Sequence, residues 1–128
     1  MVYGTCVSTW VSVALKISSL RDISSKLHGH DYIVKICCES EKLDSANLVI
    51  DQKTLKQMLH MCLSSINYSY LNEVLKTDNA SSELLSKYIY DCMQEKLTEY
   101  GSNIALTKAE VCTPIGDCSY YREQRKRE

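Results

Sequence analysis

Leu27-His28-Gly29-His30-Asp31-Tyr32-Ile33-Val34-Lys35-Ile36-Cys37-Cys38-Glu39 is the stretch on which the fold turns. From His28 onward it alternates. Tyr32, Val34, Ile36 and Cys38 share one parity, against Asp31, Lys35 and Glu39 on the other. A period of two is that of a strand with one buried and one open face. We therefore expect a strand over His28–Glu39. His28 and His30 then lie on one face, a few ångströms apart, which suits two ligands of one metal ion. The same spacing also serves hydrogen-bonded core or surface histidines. A catalytic zinc needs three protein ligands. The only other histidine, His60, reads as structural.

Upstream, Tyr3–Ile17 alternates in the same way. Tyr3, Val7, Val11, Val13, Leu15 and Ile17 oppose Gly4, Ser8, Ser12 and Lys16. It is expected as a partner strand, joined through the polar loop Ser18–Lys26. Downstream, after the polar connection Ser40–Asn47, the period changes. Leu55, Met58, Leu59, Cys62, Leu63 and Ile66 recur at helical intervals in a helix opened by Asp51. Asn67–Ala80 is expected to be irregular. Ser81 caps a second helix, with Glu83 in its first turn, a stripe of Leu85, Ile89, Cys92, Met93 and Leu97, and Gly101 as its stop. Ile104–Cys112 and Cys118–Arg122 form two further strands around a turn at Pro114 and Gly116.

The expected fold is α+β: a four-stranded antiparallel sheet with two helices on one face, in the order β-β-α-α-β-β. With 128 residues, one domain over 1–128 is expected, ending in a charged tail from about 123. Two open sheet edges and a modest core favour a homo-oligomer. A net charge of -1 gives no general pull toward nucleic acid or anionic membrane. No stretch is apolar enough to span a bilayer, and the alternation of Met1–Ile17 is not that of a signal peptide. The seven cysteines form no CxxC pair. They are read as reduced thiols in a cytoplasmic protein, mostly small buried apolar groups. Cys112 and Cys118 lie across a hairpin and could approach each other.

Five segments, in order, resemble the 6-pyruvoyl/6-carboxy-tetrahydropterin synthase family. Leu27-His28-Gly29-His30-Asp31-Tyr32 is similar to its Leu-His-Gly-His-Asn-Tyr signature. Leu48-Val49-Ile50-Asp51 resembles its Val-Ile-Asp-Phe helix entry, and Tyr70-Leu71-Asn72 its Tyr-Leu-Asn. Ala80-Ser81-Ser82-Glu83 resembles its Pro-Thr-x-Glu. Glu110-Val111-Cys112-Thr113 with Cys118-Ser119-Tyr120-Tyr121 resembles its closing Glu-Thr strand and hairpin.

The resemblance implies the T-fold, edge-to-edge assembly, commonly as a hexamer, and active sites between subunits. It implies zinc at His28 and His30, a pterin ring anchored by Glu110, and Ser81 in place of the family's threonine. It also implies losses. Leu15 stands where the family has its first zinc-ligand histidine, and Ser24 where it has its catalytic cysteine. Asn67 and Tyr68 replace the catalytic aspartate and histidine, and Gln52 the helix-entry phenylalanine. No catalytic set is intact. Asparagine does not ionise, and a tyrosine with a pKa of about 10 is a poor base near neutrality.

Two readings follow. One is a divergent member that binds a pterin or purine-like ring without the family's triphosphate-eliminating lyase chemistry. The other is an active enzyme of tetrahydropterin or of queuosine/archaeosine (deazapurine) biosynthesis with rearranged residues. Cys112 with Asp117 is a lead toward the nitrile-reducing or amidine-forming T-fold reactions, which use a nucleophilic cysteine.

Overall fold

The two long alternating segments pair with each other. In the computed structural model, which describes residues 1–101 and 103–123, β1 (Tyr3–Leu15) and β2 (His28–Ser40) run antiparallel in unbroken register, from Tyr3↔Ser40 to Leu15↔His28. Helix α1 (Gln52–Leu63) follows, then strand β3 (Ser69–Tyr70), helix α2 (Leu71–Leu75) and helix α3 (Ser82–Tyr100). Strands β4 (Ala105–Cys112) and β5 (Cys118–Tyr121) close the chain. The sheet order is β3-β1-β2-β4-β5. All pairings are antiparallel except β1 with β3, which is parallel.

The expected four antiparallel strands and two helices are therefore corrected, among the described residues, to five strands in a mixed sheet and three helices. The additions lie in Asn67–Ala80, where side-chain hydrogen bonds rather than periodicity shape the chain. Tyr68 takes a positive φ of 62°, and its N–H donates to the Ser12 carbonyl at 2.6 Å. The Ser12 N–H donates to Asn67 Oδ1 at 2.9 Å. These bonds lay Ser69–Tyr70 along β1. Asn72 then acts as a substitute strand partner. Its Oδ1 accepts from the Lys16 N–H at 2.9 Å, and its Nδ2 donates to the Lys16 carbonyl at 2.9 Å and to that of Thr77 at 3.0 Å. A five-residue helix is too short to show a period. A 3₁₀ turn, Ile23–Ser25, occupies part of the Ser18–Lys26 loop.

One layer of side chains fills the space between sheet and helices. Val7, Val11, Val13 and Leu15 of β1 meet Tyr32, Val34, Ile36 and Cys38 of β2. The expected α1 stripe is buried from Leu55 to Ile66, and Leu85, Ile89, Met93 and Leu97 of α3 are buried with it. Ser81 caps α3, its Oγ accepting from the Leu84 N–H at 3.2 Å. A bulge between Cys37 and Cys38 skips Thr107 in the β4 register, and the Thr107 hydroxyl donates to the Cys37 carbonyl at 2.9 Å. In the β4–β5 turn Gly116 has a φ of 96°, a conformation that favours glycine. The tail residues 124–128 lie outside the described residues.

The cysteine expectation is also corrected. Disulfides join Cys6 to Cys37, Cys62 to Cys92 and Cys112 to Cys118. The first and third link residues directly opposed across antiparallel pairs, with Cα separations of 4.2 and 4.0 Å. The second ties α1 to α3. Opposed strand residues bring their Cβ atoms within disulfide reach, and that register is a tertiary fact. Cys38 alone is a buried free thiol, and burial pushes its pKa up to about 12.

Candidate functional site

Register assigns the chemistry-bearing side chains to two faces of the sheet. The helix-facing side of β2 carries His28, His30 and Tyr32. The two imidazole centroids are 5.0 Å apart, edge to face, and His30 stacks on Tyr32 at 5.0 Å. His28 Nδ1 lies 2.8 Å from the Lys26 carbonyl oxygen. Donation from Nδ1–H to that oxygen would leave Nε2 free to take a metal. Burial, then the neighbouring His28, holds the His30 pKa below its ordinary value. Burial, then the Glu83 carboxylate, raises Tyr32 to about 12.

The expected metal pair is therefore brought together, but its third partner is missing. Leu15 is directly opposite His28 in the register and Val13 opposite His30. Leu15 points to the same side as His28 and is 1% exposed within the core. Its side chain has no lone pair to offer. Among the described residues, two histidines stand at this place, where a catalytic zinc takes three protein ligands.

Glu110 sits on the opposite, uncovered face. Its β4 neighbours Ala109 and Val111 are buried beneath the helices, so the alternation turns Glu110 outward with Lys108 and Cys112. Its side chain is 18% exposed, and Lys108 Nζ donates to its Oε2 at 3.1 Å. Glu110 is paired across the sheet with Lys35 on one side and Tyr120 on the other. Lys108 Nζ also lies 5.9 Å from the Tyr120 ring centre. Cys112 Sγ is 3.3 Å from Glu110 Oε1. A disulfide sulfur carries no proton, so this is a contact rather than a hydrogen bond. Within one chain, then, Glu110 and the His28/His30 pair do not share a cavity.

The other replaced positions are dispersed. Tyr68 lines an open cleft of about 450 Å³ with Ser12, His30, Asp31 and Tyr70. The Ser12 hydroxyl donates to Asp31 Oδ1 at 2.5 Å. Asn67 is occupied by the β1 backbone, and the Tyr68 side chain is almost fully exposed. Ser24 lies in the 3₁₀ turn, its N–H held by the Asp22 carboxylate at 2.8 Å. Ser81 serves the α3 N-terminus, and its neighbour Ser82 lies 2.7 Å, oxygen to oxygen, from Ser119 of β5. His60 Nε2 meets the Thr9 hydroxyl oxygen at 3.0 Å.

The Cys112–Asp117 lead is corrected, because a disulfide-bonded Cys112 is no nucleophile. Sequence reasoning missed three participants. Lys108 could have been found from its i−2 position on the strand of Glu110. The contact of Cys112 with Glu110 follows likewise from its i+2 position, whereas the pairing of Ser12 with Asp31 requires the register.

Comparison with known proteins places these features in context. Residues 9–124 match the sequence profile of 6-pyruvoyl tetrahydropterin synthase. A 6-carboxy-5,6,7,8-tetrahydropterin synthase of Bacillus subtilis (strain 168) is 28% identical over 103 residues, 75% of this chain and 68% of that protein. The structure of Caenorhabditis elegans 6-pyruvoyl tetrahydropterin synthase is similar with a TM-score of 0.77 over 97% of both chains, at 20% identity. That of the Plasmodium falciparum protein is similar with a TM-score of 0.78, over 97% of this chain and 99% of that one, at 13% identity.

Proposed function

Because the chain belongs to the 6-pyruvoyl tetrahydropterin synthase family, we propose that it is a divergent member that binds a pterin or purine-like ring and has lost the triphosphate-eliminating lyase step. The observation that carries the reading is Glu110. It is a largely sequestered carboxylate on the open sheet face, with one oxygen on Lys108 and a tyrosine as its strand partner. A carboxylate accepts two parallel N–H bonds from an aminopyrimidine edge, and an aromatic side chain offers a stacking surface. Catalysis, in contrast, needs groups that Leu15, Ser24, Asn67 and Tyr68 do not supply. Recognition therefore outlasts chemistry in this reading.

Charge-assisted bonds contribute about 1.5–3 kcal/mol each, and every 1.4 kcal/mol is roughly tenfold in affinity. Calorimetry with neopterin and guanine should show binding to the parent and a loss of at least about a decade in Glu110→Ala. An assay of triphosphate release from dihydroneopterin triphosphate should show little turnover. Equal binding by both proteins would remove the role of Glu110.

The second reading is an active enzyme of tetrahydropterin or deazapurine biosynthesis, and the Ser12–Asp31 pair in the cleft with His30 favours it. Brisk turnover that Asp31→Asn abolishes would establish it. In either reading, weak or substoichiometric zinc belongs to His28 and His30. We also propose a homo-oligomer through the sheet edges, and a persistent monomer in sedimentation would refute that assembly. The compartment we propose is the cytoplasm, where thiol reductants oppose the three disulfides. Among the described residues, no helix is long and apolar enough to cross a membrane.

A further inference from the structure

The turn between β4 and β5 holds three potential metal ligands. Glu110 and Cys112 are two residues apart on one face of β4, and Cys118 is the direct cross-strand partner of Cys112. A carboxylate oxygen of Glu110 and the two sulfurs all lie within 4.8 Å of one another. Cys118 is exposed and the other two are half-buried, so a reductant and an ion can both reach the site. As a disulfide the two sulfurs are not available as thiolate ligands. Reduction changes that without moving the backbone far, because Gly116 and the Thr113–Asp117 backbone bonds hold the turn independently of the sulfurs. The Thr113 N–H donates to the Asp117 carbonyl at 2.9 Å, and the Gly116 N–H to that of Thr113 at 3.0 Å.

We propose that reduction of Cys112–Cys118 opens a metal site in which both thiolates and the Glu110 carboxylate bind a zinc-class divalent ion, with the fourth position open. The reductant is a dithiol. It gives two electrons and two protons to the disulfide, the S–S bond breaks, two S–H bonds form, and the dithiol leaves as its own disulfide. Binding then releases the two thiol protons. Zinc–sulfur bonds of about 2.3 Å in a tetrahedral site put the sulfurs about 3.8 Å apart. Rotation about the two side-chain bonds supplies that separation. Two thiolates select a zinc-class ion over magnesium or calcium. Lys108 Nζ, 3.1 Å from Glu110 Oε2, can stay on that oxygen while Oε1, already beside Cys112, turns to the metal. The site is distinct from His28 and His30, which occupy the other face of the sheet. It stands whether or not Glu110 binds a ring, though ion and ring would compete for that carboxylate.

Cobalt(II) is the probe, since its thiolate bonds absorb in the near ultraviolet. Protein reduced with a phosphine, which takes an oxygen from water as the sulfurs take two protons, is titrated with cobalt and then zinc. The parent should bind one equivalent with thiolate-to-cobalt absorption that zinc erases. The oxidised parent should show no such band, and Cys112→Ser/Cys118→Ser should lose it. Glu110→Gln should weaken binding by about a decade or more, the loss of one charged ligand. His28→Ala/His30→Ala should leave the band unchanged. In the reduced parent, zinc should also protect Cys112 and Cys118 from alkylation, a readout that needs no variant to fold. A band that survives Cys112→Ser/Cys118→Ser, an undiminished affinity in Glu110→Gln, or equal alkylation with and without zinc would overturn the proposal.

Discussion

Leu15→His puts an imidazole where the sheet register faces His28. Leu15 is 1% exposed, so losing its burial forfeits about 1.5–3 kcal/mol. Burying an imidazole without a full set of partners costs about 1–3 kcal/mol more. The metal-free variant should therefore unfold about 2.5–6 kcal/mol more easily than the parent. Zinc offsets much of that loss. With three histidines converging from β1 and β2, zinc at a hundredfold above its dissociation constant should return about 2.7 kcal/mol. Urea unfolding of the oxidised protein, with and without zinc, reads both numbers. Keeping the hairpin disulfide closed removes Cys112 and Cys118 as competing ligands. A Leu15→His protein that zinc does not stabilise, or one stabilised equally after His30→Ala, would refute the claim that Leu15 occupies a ligand position.

Other outcomes follow from particular residues. Burial holds the native His30 pKa below the unfolded value of 6.5, so the unfolded chain takes up the proton first. Stability should fall as pH drops from 6.5 toward the native value, and His30→Gln should flatten that slope in urea melts at a series of pH values. Alkylation under non-reducing conditions should label Cys38 alone among the seven cysteines, and only after denaturation, because it is the one free thiol and is buried. Seven labels by mass spectrometry would contradict the three disulfides. Ile89→Ala, at a fully buried α3 position, should cost about 2–5 kcal/mol in chemical unfolding. Gly116→Ala should cost about 1–3 kcal/mol, read as a lower Tm, because φ there is 96°.

Much of the fold was legible in the linear pattern. The two-residue period of Tyr3–Ile17 and His28–Glu39 located β1 and β2 within a residue or two. The stripes beginning at Leu55 and Leu85 located α1 and α3, because each exposes its period over several turns. Ser81 as a cap and Gly116 as a turn residue could be read from local stereochemistry. The ligand pair His28 and His30 needed only the knowledge that alternate strand residues share a face. What the order of residues left open concerns partners distant in sequence. β3 and α2 exist because Asn67 and Tyr68 hydrogen-bond to the backbone of β1 and Asn72 to that of Lys16 just beyond it, and no periodicity marks such bonds. The disulfides depend on which residue of β2 faces Cys6, how α3 packs to bring Cys92 to Cys62, and how the last turn aligns Cys112 with Cys118. The separation of Glu110 from His28 and His30 arises the same way, since strand parity sets the face within a strand but only pairing register sets it between strands. Local sequence thus determined the elements and their buried stripes through short-range sterics and burial, while long-range register decided which side chains meet.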